Sequence, residues 1–141
     1  MNMKVLVAAL VGGVVAFLLG WLIWGTLLMG YYEASMIHYE GLMKTEGEMN
    51  LGLMFLSNLT LSLLMALLFQ RMGIKDLMGG AMTGALIGGL FFLSVDLGFL
   101  AMMNYFATTT VVLVDVLANI VWTACIGAVI GLLLGRGKAA A

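Results

Sequence analysis

Two aspartates, Asp96 and Asp115, are the only charged residues in the long apolar stretch from residue 77 to residue 135. An ionisable side chain in such a setting is expensive, and it normally pairs, lines a water path or carries a proton. Counted from the basic end of each expected helix, both aspartates lie about 28 Å along it, at similar depth near one edge of the apolar zone. They can therefore face each other. No lysine or arginine falls in the same half of any expected helix. Two adjacent carboxylates cannot both stay ionised cheaply: one holds a proton, the pair holds a cation, or Lys44 folds back from a neighbouring loop. Asn119 stands one helical turn from Asp115 on the same face, and Trp122 continues that face. Asn58 and Asn104 belong to the same half of the chain's expected helices, as supplementary ligands or donors. The chemistry implied is a proton or cation site. The alternative is that each aspartate sits in the wet headgroup zone and caps backbone or binds water.

The other reactive side chains carry less. His38 lies among glutamates, but one histidine in a flexible acidic loop does not assemble a metal site, which needs several fixed ligands and supporting hydrogen bonds. Cys125, the single cysteine, is expected to be a buried packing residue in the last helix, where a thiol in apolar surroundings is inert. Trp21, Trp24 and the tyrosines are expected to be interfacial anchors. The 13 methionines fill irregular gaps and apolar surface. There is no nucleophile elbow, zinc-protease motif, Walker loop or dinucleotide fingerprint. The reading is non-enzymatic, with no cofactor.

Composition defines what must position these residues. With 64% hydrophobic and 9% charged residues in 141, the chain lacks the roughly 25% charge that covers a water-facing domain. It reads as an all-α membrane protein. Its net charge of −1 and scattered basic residues exclude nucleic acid as a partner, and its hydrophobicity excludes disorder. A membrane crossing needs about 20 apolar residues. Uncharged runs then give a four-transmembrane-helix bundle, with helices at about 5–32, 49–70, 77–103 and 110–135 in one domain spanning 1–141. The turn between the last two rests on Asn104, Tyr105 and Thr108 to Thr110, where a threonine can cap the incoming helix.

Lys4, Arg71, Lys75, Arg136 and Lys138 fall on one side of such a bundle and Lys44 alone on the other. Both termini are therefore expected in the cytoplasm of a bacterial inner membrane. The apolar run after Lys4 is too long for a secretory signal and is read as a retained helix. The loop 33–48 is then extracytoplasmic and acidic. Within it, Met36, Ile37, Tyr39, Leu42 and Met43 recur at helical spacing, which predicts a short helix lying on the outer membrane surface.

Small residues mark where apolar helices approach closely. Gly12, Ala16 and Gly20 form one ladder, Gly80, Gly84 and Gly88 a second, and Gly127, Gly131 and Gly135 a third. All three lie largely toward the basic side, so the bundle is expected to be tight there and wider at the acidic side. The second helix, rich in Leu and Met, has no comparable ladder and is expected at the periphery. The absence of proline disfavours the broken helices of many transporters.

The segments VLVAALVGGVVAFLLGWLIWG, GGAMTGALIGG and TTTVVLVDVLAN resemble those of small bacterial four-helix inner-membrane proteins of uncharacterised function. The resemblance spans most of the chain and implies the bundle, without an activity. Small multidrug-resistance transporters share its helix number and size, but they carry a glutamate inside the first helix, where this chain has no acid before Glu33. Two functions follow as expectations. One is an interaction or accessory subunit, a homo-oligomer or part of a larger membrane complex, packed through its glycine-rich faces in the lipid bilayer. The other is a small transporter or ligand-binding bundle with an outward-facing polar pocket around Asp96 and Asp115.

Overall fold

The computed structural model describes residues 2–136 and is entirely helical there apart from one backbone pairing between loops. Lys138 and the terminal alanines lie outside the described residues. Helix α1 runs Met3–Leu22 and passes into a wide π turn, Ile23–Leu27, followed by a short α2, Met29–Ser35. A 3-10 turn at Glu46–Glu48 leads to α3, Leu51–Met72; α4 is Leu77–Met102 and α5 is Thr109–Gly135. Four segments are long and apolar enough to cross a membrane: Met3–Leu27, Leu51–Met72, Leu77–Met102 and Thr109–Gly135.

Polar residues set the helix ends. The side chains of Asn2, Asn50 and Asp76 accept from the backbone N–H groups of Lys4, Leu53 and Gly79 at 3.2, 3.0 and 2.7 Å, satisfying donors that a first turn leaves open. Gly73, at φ 74°, ends α3 in the left-handed conformation that glycine adopts without strain. The Thr108 side chain makes no capping bond although the residue occupies the capping position of α5, contrary to the sequence expectation.

Helix α5 is the hub: it packs on α4, α1 and α3, whereas α4 packs chiefly on α5. The share of its apolar window that is buried, 44%, exceeds the 28% of the first span and the 17% of α3 and α4. The ladders explain the asymmetry. A methyl group built on Gly80 would run into the Gly127 carbonyl, one on Gly84 into the Thr123 carbonyl, one on Gly131 into the Asp76 carbonyl and one on Gly135 into that of Lys75. The Gly88 position is filled by the Thr123 side chain. Backbone thus touches backbone along the basic half of the α4–α5 hairpin. Gly12 meets Ser62 of α3 and Ile130 of α5, and the fully buried Ala16 lies in the same core. Gly20 differs: a methyl there would lie 3.7 Å from Trp122 Nε1, an ordinary contact.

The second of the four long helices is peripheral, with 17% of its apolar window buried, but one stripe of it is packed. Helix α3 seats Ser62, Met65, Ala66 and Phe69 against α1 and α5. Gly12 and Gly13 make this possible, since they admit the Ser62 side chain and the Leu59 backbone.

The acidic-side loop also departs from expectation. Residues 36–43 form no helix. Met36 pairs antiparallel with Phe106, Ile37 donates its N–H to the Tyr105 carbonyl at 3.0 Å, and Ala107 donates to the Ser35 carbonyl at 3.0 Å. The Tyr39 hydroxyl donates to the Asn104 carbonyl at 2.5 Å. These bonds use backbone groups that a surface helix would need for itself, and they clasp the first loop onto the α4–α5 turn. Further along, the Thr45 hydroxyl and N–H both donate to Glu48, which holds the Glu48 carboxyl below its ordinary range.

Candidate functional site

Asp96 lies six residues before the end of α4, and Asp115 six residues after the start of α5. Each is therefore about 9 Å inside its helix end. The glycine-ladder packing of α4 on α5 places Asp96 and Asp115 as neighbours across this hairpin. Asp96 is 5% exposed and Asp115 is half-buried.

The two acids have different surroundings. Asp115 Oδ1 accepts from Trp24 Nε1 at 3.2 Å and from the Tyr32 hydroxyl, and Oδ2 accepts from Asn119 Nδ2 at 2.7 Å. The same Asn119 amide donates to the Asp115 carbonyl at 2.9 Å. Three neutral donors from three elements thus solvate one carboxylate in apolar surroundings. Among the described residues, Asp96 Oδ2 has no hydrogen-bond partner. Two ionised carboxylates offer each other only acceptors, so neither can satisfy the other unless one of them carries a proton. Lys44 does not fold back: it is exposed in its loop.

An aromatic floor underlies the pair. Trp122, one turn beyond Asn119's neighbours on α5, donates its indole N–H to the Ala16 carbonyl at 2.9 Å. Trp24 meets it edge-to-face at 5.4 Å and Phe92 at 6.1 Å. Above the pair, Phe106, Val111 and Val112 form a small core with Tyr31 and Tyr32 packed on it. The clasp packs over this end of the pair, and an apolar cleft of about 340 Å³ beside it is lined by residues including Ile23, Leu28, Val114 and Ala118.

Of the residues singled out from the sequence, Asp96, Asp115 and Asn119 come together. Asn58 does not join them, because its amide donates to the Met54 carbonyl of its own helix at 2.7 Å. Asn104 is exposed in the turn and contributes its carbonyl to Tyr39. His38 Nε2 pairs with the Glu33 carbonyl at 2.8 Å, and no group of three or more metal-binding side chains gathers among the described residues. Cys125 is exposed rather than buried, because two residues from Gly127 is about 200° around the helix from the packed face.

Trp24 and Tyr32 are the residues that sequence reasoning missed as parts of the site. Eight positions apart, they would diverge by about 80° on an uninterrupted α-helix. The π turn and the break at Leu28 bring both donors round to Asp115. The usable signal was chemical: Trp and Tyr are the amphipathic residues that need a buried polar partner.

No family model matches the chain, and comparisons with curated proteins and with solved structures find no match either.

Proposed function

We propose that this chain is a non-enzymatic, four-span protein of a bacterial inner membrane, with both termini cytoplasmic, that works as a small proton-linked transporter or ligand-binding bundle. The observation that carries this reading is the meeting of the only two acids of the apolar stretch, one ringed by donors and the other orphaned. A proton fits this arrangement better than a metal ion. Both oxygens of Asp115 are already occupied by N–H and O–H donors, whereas a cation requires free acceptors.

The test is proton movement into liposomes containing the purified protein, followed with an internal pH dye under a membrane potential. The parent is expected to conduct or exchange protons measurably above empty liposomes, and Asp96→Asn with Asp115→Asn to abolish this. Silence in the parent, or flux unchanged in the double variant, sinks the proposal.

The accessory-subunit reading remains the second proposal. The glycine faces that motivated it are occupied within one chain, so a partner or second copy would dock on the outer side of α4, where Met82, Leu86, Leu90 and Phe91 are exposed. Crosslinking in native membranes that captures no neighbour through this face would remove it.

A further inference from the structure

At the opposite end of the bundle from the acid pair, the start of α1, the α3–α4 turn and the end of α5 enclose a cleft of about 370 Å³, within the ~300–1,000 Å³ typical of small-ligand sites. Lys4 and Lys75 line it from two different elements, together with Asn2 and Gln70, and all four are exposed. Asn2 Oδ1 accepts from the Lys4 N–H at 3.2 Å, which leaves the Asn2 amide group free to donate. Among the described residues no acidic residue lines the cleft, and its wall includes the apolar Val5, Ile74 and Leu134. Asp76, the nearest acid in sequence, is engaged with the Gly79 N–H.

We infer that this cleft is a binding site for a phosphate group, supplied by the headgroup of an anionic phospholipid or by free phosphate. Four residues whose side chains can donate, two of them cationic, line this space, and no carboxylate does among the described residues. A tetrahedral oxyanion presents several acceptors in different directions and can use such a set at once, with lysine as the usual point-charge partner. The position adds to this. The lysines stand where three apolar helices end, so their stems can lie on apolar surface while their ammonium groups reach a headgroup layer. This inference does not depend on the acid pair, from which it is separated by most of the length of the bundle.

The test uses the full chain in detergent, titrated separately with phosphatidylglycerol, phosphatidylcholine and inorganic phosphate, and read by native mass spectrometry and thermal stability. Phosphatidylglycerol is expected to bind in preference to phosphatidylcholine, and Lys4→Gln and Lys75→Gln to weaken it by about fivefold each. Lys4→Arg and Lys75→Arg should retain binding, and Lys44→Gln, remote from the cleft, should not change it. Inorganic phosphate that competes with phosphatidylglycerol identifies the phosphate as the recognised group. Phosphate binding without lipid preference identifies the free ion as the source. Equal binding of both lipids together with no phosphate binding, or full binding retained by the doubly neutralised variant, overturns the inference.

Discussion

Replacing Gly84 with alanine tests the contact that sets the register of the acid pair. A methyl on Gly84 would overlap the Thr123 carbonyl and lie 3.2 Å from Gly127 Cα. Carbon atoms pack at about 3.5–4.0 Å, so α4 must retreat from α5 by roughly 0.3–0.8 Å at Gly127 and further at the carbonyl. Neither obstacle can rotate away, because both are backbone. Overpacking of this kind costs about 1–3 kcal/mol. Gly20→Ala is the matched control, since its methyl would meet only Trp122 Nε1 at 3.7 Å, and it should stay within about 0.5 kcal/mol of the parent. Both variants can be measured by unfolding in mixed micelles with rising SDS, followed by far-UV circular dichroism. Gly84→Ala should shift the midpoint down and Gly20→Ala should not. Equal stability of the two variants would refute the close backbone contact, and with it the mechanism by which the hairpin aligns Asp96 with Asp115.

Asp96→Asn should remove the infrared carbonyl band of a protonated carboxylic acid from the folded protein; a band that survives there and vanishes in Asp115→Asn would reverse the roles of the two acids. Trp24→Phe and Tyr32→Phe each delete a donor to the same Asp115 oxygen, at about 1.5–3 kcal/mol for a bond to a charged group. Their effects on unfolding should be non-additive, and additivity within about 0.3 kcal/mol would argue against a shared acceptor. In the loop before α3, the lowered Glu48 carboxyl means that its bonds to Thr45 hold above the ordinary glutamate range and are lost as pH falls through the lowered value. Thr45→Val should move the Glu48 titration upward, as read from its carboxyl carbon by NMR, and an unmoved titration would assign the effect elsewhere.

The spanning helices were legible because charge is so sparse: each uncharged run maps onto one apolar segment, with boundaries displaced by a few residues at most sites. The glycine ladders were legible for the same reason, since Gly80, Gly84, Gly127 and Gly131 have few roles other than close approach. Their partners were not. A ladder says that something comes near, and only the fold decides that α4 and α5 satisfy each other while α1 receives Ser62. Cys125 was misread although its spacing from Gly127 already placed it on the far face of the helix. The loop failed for a different reason. Its helical spacing of apolar residues is real, but Ile37 bonds to Tyr105 and Ala107 to Ser35, and such long-range backbone pairing leaves no local signature. The π turn at Ile23–Leu27 was equally hidden, because nothing in a run of apolar residues marks a widened turn, although Trp24 and Tyr32 on either side of its end both reach Asp115.

Tyr32 connects the two features of the acidic end. Its ring packs on the Phe106 and Val111 cluster that closes the clasp, while its hydroxyl donates to Asp115. A second negative charge on the pair, produced by loss of the shared proton, would need donors beyond Trp24, Tyr32 and Asn119, and the closed clasp supplies none of them to Asp96. Water could supply them only by reaching the site, which means parting the contacts of residues 35–37 with 105–107. If the pair holds a proton as proposed, deprotonation and clasp opening would be linked in both directions, since a state that admits water lowers the cost of the second charge, and the second charge favours the state that admits water. On the proposed proton-linked reading, that reciprocity is how the acid pair would exchange its proton with water.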